Sequence, residues 1–132
     1  MNQQTLNPAD RRRFVRYEMR PAYTAVRATP IDGASSSMEG HSYDLSEGGV
    51  QFELDRAIEP GTPIGIEVML PALLGYEPQE HRSVKAFATV VWVDDSEPGP
   101  VRMAAVFRRF ATEDDHRRLM QHLRTGRYRA AA

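Results

Sequence analysis

The amino-acid sequence predicts a mainly β domain, a small antiparallel barrel or sandwich closed by one C-terminal helix. Three observations predict it. Apolar residues recur with period two in several short runs. Pro/Gly turn signals separate those runs at short spacing. A helix-start signature appears only after the last run. A length of 132 residues fits one domain.

The elements follow in order. Tyr23 to Val26 begin a strand after Pro21. Ala28 to Gly40 carries Thr-Pro, Asp-Gly and a Ser triplet, and reads as a turn or mobile loop. Val50, Phe52 and Leu54 alternate with Gln51 and Glu53, the pattern of a half-buried strand. Glu59-Pro60-Gly61 marks a turn. Ile64, Ile66, Val68 and Leu70 alternate up to Pro71, and Pro71 to Glu80 reads as a loop. Ser83 to Val93 is apolar or small at both parities, so a strand buried on both faces, or one lying across a barrel interior, is expected, with Trp92 in the core. An acidic Pro/Gly turn, Asp94 to Pro100, leads to the alternating Val101, Met103, Ala105 and Phe107. Five or six strands at this spacing suit a small barrel or sandwich.

The closing helix is expected over about 112–125. Thr112 and Asp115 match an N-cap with an acid three positions on, and Glu113 and Asp114 suit the positive end. Leu119, Met120 and Leu123 form the apolar stripe, and Gly126 is the stop.

Composition excludes several function classes. The 17 basic and 18 acidic residues give a net charge of −1, which argues against a wholesale polyanion binder. No cysteine means no disulfide, thiol nucleophile or Cys-ligated zinc. His41, His81, His116 and His122 have no metal-ligand spacing, so no metal site is expected. Asp94-Asp95 and Glu113-Asp114-Asp115 read as turn and helix-start residues, so neither catalytic residues nor an enzyme is expected. No apolar run approaches a membrane span, and Met1 to Asp10 is polar, so no membrane insertion and a cytoplasmic location are expected.

The charge is unevenly spread. Residues 11–20 hold five Arg against Glu18, a local +4, while residues 56–100 carry a local −4 and residues 101–132 a local +5. Arginine is a rigid fork of donors for carboxylate, phosphate or a guanine edge, and stacks on flat rings.

Two short motifs carry the chemistry. Arg12-x-x-x-Arg16, preceded by Arg11, is weak alone, because this Arg content yields about two such pairs by chance. Asp44-Leu45-Ser46-Glu47-Gly48-Gly49 has the form Asp/Asn-x-Ser-x-x-Gly, for which chance predicts about 0.03 occurrences. Asp and Ser side chains bond nearby amides, and two glycines permit a sharp reversal or a close ligand approach.

In this order the motifs resemble the PilZ family of cyclic di-GMP receptors. The likeness extends through Gly61-Thr-Pro, Thr89-Val-Val-Trp92-Val and Arg102-Met-Ala-Ala-Val-Phe107 to the closing helix, roughly residues 10–124. Ala104 or Ala105 stands where the family often has Gly. The resemblance implies a six-stranded antiparallel PilZ-type β-barrel with a C-terminal α-helix. The expected organisation is a flexible N-terminal tail over 1–10, the PilZ domain over 11–125 and a flexible C-terminal tail over 126–132.

The resemblance also implies a ligand, cyclic di-GMP, and no other cofactor. A guanidinium meets guanine O6 and N7 with parallel hydrogen bonds, and phosphates accept charge-assisted ones. Arg12 and Arg16 are therefore expected to supply forks and stacking, and Asp44 to accept from the guanine N1–H and N2–H₂ donors. Ser46 either bonds an exocyclic group or holds the turn, while Gly48 and Gly49 let backbone approach a flat base. Arg11 adds a third guanidinium, which makes room for two stacked ligand molecules. Binding would fold an Arg-rich arm, residues 1–20, onto the barrel and change the face shown to an unidentified effector protein. The competing readings are a PilZ-like protein–protein adaptor that binds no nucleotide and a barrel that binds RNA or single-stranded DNA. The near-zero charge and dispersed aromatics disfavour a nucleic-acid polymer.

Overall fold

The computed structural model describes residues 17–18, 24–32, 36–70, 82–124 and 129–130. Its strands are β1 (Tyr17–Glu18), β2 (Ala25–Pro30), β3 (Met38–Leu45), β4 (Gly49–Leu54), β5 (Pro63–Met69), β6 (Ser83–Asp94), β7 (Val101–Phe110) and β8 (Arg129–Ala130), with helix α1 (Glu113–Leu123) between β7 and β8. Every pairing is antiparallel. The order β2-β5-β6-β7-β4-β3 closes because β3 also pairs with β2, from Ala25 opposite His41 to Ala28 opposite Met38. The fold is a closed six-stranded barrel, not a sandwich.

Alternation builds the core. Val50, Phe52 and Leu54 of β4, Ile64, Ile66 and Val68 of β5 and Val84, Ala86, Ala88 and Val90 of β6 all point inward and are buried. Leu119 and Leu123 of α1 close one end of this core. Burial of each such side chain contributes about 1.5–3 kcal/mol. The helix is capped as its sequence predicts: Asp115 N donates to Thr112 Oγ1 at 3.1 Å and Thr112 N donates to Asp115 Oδ2 at 3.1 Å. Asp115 also accepts Lys85 N at 2.9 Å, and Arg118 donates to Ser83 O at 2.6 Å, so the helix is pinned to the start of β6. Among the described residues no helix is long and apolar enough to cross a membrane.

Two expectations are overturned. Ala28 to Gly40 is not one loop, because β2 runs on to Pro30 and β3 begins at Met38. Pro30 is tolerated because the β2–β3 pairing ends at Ala28, which leaves that edge of β2 unpaired at Pro30. β3 escapes a period-two reading because Ser42 and Leu45 are its buried side chains and a bulge separates Ser42 from Asp44. Strand β6 is buried on one face only. Val90 pairs with Ala105 and Trp92 with Ala104, so Val91 is an extra residue and the bulge turns Trp92 outward. Val91 and Trp92 are 44% and 40% exposed, and Trp92 is not a core residue.

The expected tails fall mainly outside the described residues, as does all of 1–10. Within 126–132, Arg129 and Ala130 form β8, which pairs with β1.

Candidate functional site

The acidic motif is the connection between β3 and β4. Ser46 N donates to Gly49 O at 2.9 Å, closing a tight turn. Ser46 is buried, and its Oγ accepts from Gly48 N at 3.1 Å and Gly49 N at 3.2 Å. Of the two roles open to it, holding the turn is the one its hydrogen bonds perform. Gly49 is required for a steric reason rather than for an unusual φ. A Cβ there would lie 2.4 Å from Ala105 O on β7. Phe107 N donates to Gly48 O at 2.9 Å, fixing the bend to the same strand.

Asp44 opens onto the outer barrel surface. It pairs with Gln51, Gln51 with Ala104, and Ala104 with Trp92, so one row crosses four strands. At the usual strand spacing, the Asp44 and Trp92 Cα atoms are about 14 Å apart. A second row sets Glu53 opposite Arg102 and Arg102 opposite Asp94. Between them lies a concavity of about 350 Å³ lined by Tyr43, Asp44, Gln51, Trp92, Asp94, Arg102 and Met103. Ala104 contributes the shortest side chain of the first row.

The lining is electrostatically organised. The Arg102 guanidinium lies 5.1 Å from the centre of the Tyr43 ring. Tyr43 Oη donates to Glu53 Oε2. Burial, then the Glu53 hydrogen bond and charge, push the Tyr43 phenol above its ordinary value. Ser96 N and Oγ donate to Asp94 Oδ1 at 3.0 and 2.7 Å, and these bonds hold the Asp94 carboxyl below its ordinary value. The charged side chains of the lining are Asp44, Asp94 and Arg102. Among the described residues no cluster of three or more His, Asp or Glu side chains is placed to hold a metal ion.

Of the residues expected from sequence, Asp44, Ser46, Gly48 and Gly49 share the β3–β4 bend. Arg11, Arg12 and Arg16 lie outside the described residues. The chain just after them is described: Tyr17 is the partner of Leu45 and Glu18 the partner of Asp44. Strand β1 occupies the same edge of β3 as β2, because β4 pairs with Asp44 and Leu45 on the opposite edge. Sequence reasoning missed Tyr43, Gln51, Trp92, Asp94 and Arg102. Arg102 carried a usable signal, an outward polar parity between Val101 and Met103. Trp92 carried none, since the Val91 bulge reverses its parity.

Comparison with known proteins adds to this geometry. A family profile described as PilZ domain matches residues 10–125. Among solved structures, the chain is similar to the inhibitor of motility MotI/DgrA of Bacillus subtilis, at 20% identity and a TM-score of 0.63, covering 86% of this chain and 50% of that one. It is similar to the PilZ domain of YcgR from Escherichia coli with c-di-GMP, at 20% identity and a TM-score of 0.56, covering 84% and 87%. It is also similar to the MrkH–c-di-GMP complex of K. pneumonia, at 19% identity and a TM-score of 0.61, covering 86% and 50%. At these identities the likeness is one of fold. The chain spans about half the length of MotI/DgrA and MrkH. A search of curated proteins gives no match.

Proposed function

The chain belongs to the PilZ domain family, and from that premise we propose that it is a cyclic di-GMP receptor, not an enzyme, that regulates an effector protein through its Arg-rich N-terminal arm. One observation carries the reading. Tyr17 and Glu18 run antiparallel to Leu45 and Asp44, so the residue following Arg16 lies beside the acidic bend. In this reading two motifs separated by almost thirty residues serve one concavity.

Asp44 accepts the N1–H and N2–H₂ donors of one guanine. The exposed Trp92 ring offers a stacking surface at the far end of the row, a contact worth about 1–3 kcal/mol per base. Arg12 and Arg16, with Arg11, bind O6/N7 edges and phosphates. They also supply positive charge to meet the two phosphates. Ser46, Gly48 and Gly49 hold the bend that presents Asp44. Binding orders the arm against β3 and alters the surface offered to the effector.

Calorimetry with cyclic di-GMP, GTP and cyclic GMP tests the reading on wild type, Arg12→Ala and Asp44→Ala. Wild type should bind cyclic di-GMP selectively, and each variant should lose about 1–3 kcal/mol, or roughly five- to 150-fold in affinity. Absence of binding to all three nucleotides would leave the adaptor reading instead.

A further inference from the structure

We propose that His116 is a positioning and charge-compensating residue for the acidic bend, so that affinity for the anionic ligand rises as pH falls. This rests on the cyclic di-GMP reading and adds a regulation of that same site. Glu47 stands inside the bend, three residues from Asp44 and next to Ser46. Its Oε2 lies 2.6 Å from His116 Nε2 on α1, with side-chain exposures of 32% and 43% for Glu47 and His116. The imidazole is stacked on Phe110 at 4.7 Å between ring centres and 19° between planes. Phe110 in turn meets Phe107 at 5.3 Å, and Phe107 N holds Gly48 O. The helix therefore grips the bend at Glu47 through a ring held in place by β7.

Glu47 is a poor neighbour for a dianion. Left as a bare carboxylate, it repels the phosphates of the ligand. An imidazolium at His116 cancels that charge, whereas a neutral imidazole keeps only the hydrogen bond. Histidine is the side chain whose charge changes near neutral pH. The other charges near the ring are otherwise engaged. On α1, Arg117 pairs with Asp114 and Arg118 with Asp115, leaving Glu113 one turn before His116. On β7, Arg108 donates to Thr89 Oγ1 at 3.0 Å and Arg109 lies 4.6 Å over the Phe87 ring, both directed towards β6. On β6, Lys85 N is bound to Asp115.

The test is the dissociation constant for cyclic di-GMP at pH 6 and pH 8, at fixed ionic strength, for wild type, His116→Gln and Glu47→Gln. With the ionic strength fixed low, at about 0.01 M, one charge at about 10 Å from a dianion in a water-like dielectric corresponds to a change of up to about fourfold, and salt reduces it. Wild type should weaken by about that factor from pH 6 to pH 8. His116→Gln retains an N–H for Glu47 but no titratable charge, and should lose the pH dependence. Glu47→Gln keeps the ring but removes the carboxylate, so it should retain a pH dependence and bind at pH 8 more tightly than wild type. The other histidines remain in all three proteins and cancel in the comparison. Wild-type binding with no pH dependence, or an unaltered dependence in His116→Gln, overturns the inference alone. No binding by wild type at either pH overturns it together with the cyclic di-GMP reading.

Discussion

Tyr17 stands directly opposite Leu45 in an antiparallel pairing only two residues long. That ladder joins the Arg-rich segment to the acidic bend, yet it is far shorter than a strand pair that is stable by itself. Its stability must come from what else bridges the two segments. The Tyr17 and Glu18 amides should therefore exchange rapidly in the free protein and at least tenfold more slowly with saturating cyclic di-GMP. Hydrogen exchange read by NMR or mass spectrometry checks this. Equal protection in both states would mean that the ligand does not order the arm.

Trp92 is the sole tryptophan of the chain and lines the concavity with 40% of its surface exposed. A purine stacked on it should quench its fluorescence in a saturable way, with a midpoint equal to the calorimetric constant. Trp92→Ala should weaken binding by about 1–3 kcal/mol. Because the ring contributes to a surface and not to the core, the same change should alter thermal stability by less than about 1 kcal/mol. Trp92→Phe should recover most of the affinity.

Most of the barrel was legible because its core strands obey a strict period. Phe52, Ile64, Ile66 and Val84 are inside where alternation puts them. β3 was illegible for a physical reason: Ser42 occupies an inward position, and Gly40 is needed where a Cβ would lie 1.8 Å from Glu53 O. Neither residue advertises a strand. The acidic bend was legible as a turn, but the reason for Gly49 was not, since the demand comes from Ala105 on another strand. Most of the concavity was hidden in the same way. Bulges at Val91 and after Ser42 are set by the closure of the barrel, and a one-residue shift exchanges inside for outside.

The helix anchor gives a stability prediction independent of any ligand. Asp115 serves both the Thr112 cap and Lys85 N, whereas Thr112 serves the cap alone. Asp115→Ala loses a cap and strands a strand-end N–H, at about 2–4 kcal/mol. Thr112→Ala should cost about 1 kcal/mol. In thermal melts the first should lower Tm at least twice as far as the second. Equal losses would show that the bond from Lys85 carries no weight.

Tyr43 predicts an alkaline limit to stability. Its phenol is raised above 10.0 by burial first and by Glu53 second, with Arg102 opposing. The sign follows from which form the fold prefers. A folded value above the unfolded one means that the neutral phenol is favoured, so its contribution is complete below about pH 10 and is lost as pH rises through the folded value. Absorbance titration at 295 nm should therefore show a late-ionising tyrosine in wild type that is missing in Tyr43→Phe. Glu53→Gln should bring that ionisation partway down, because burial, the larger cause, remains. A wild-type-minus-Tyr43→Phe difference curve with its midpoint at or below 10.0 would contradict the pairing of Tyr43 with Glu53, and with it the arrangement that holds Arg102 over the ring at the wall of the concavity.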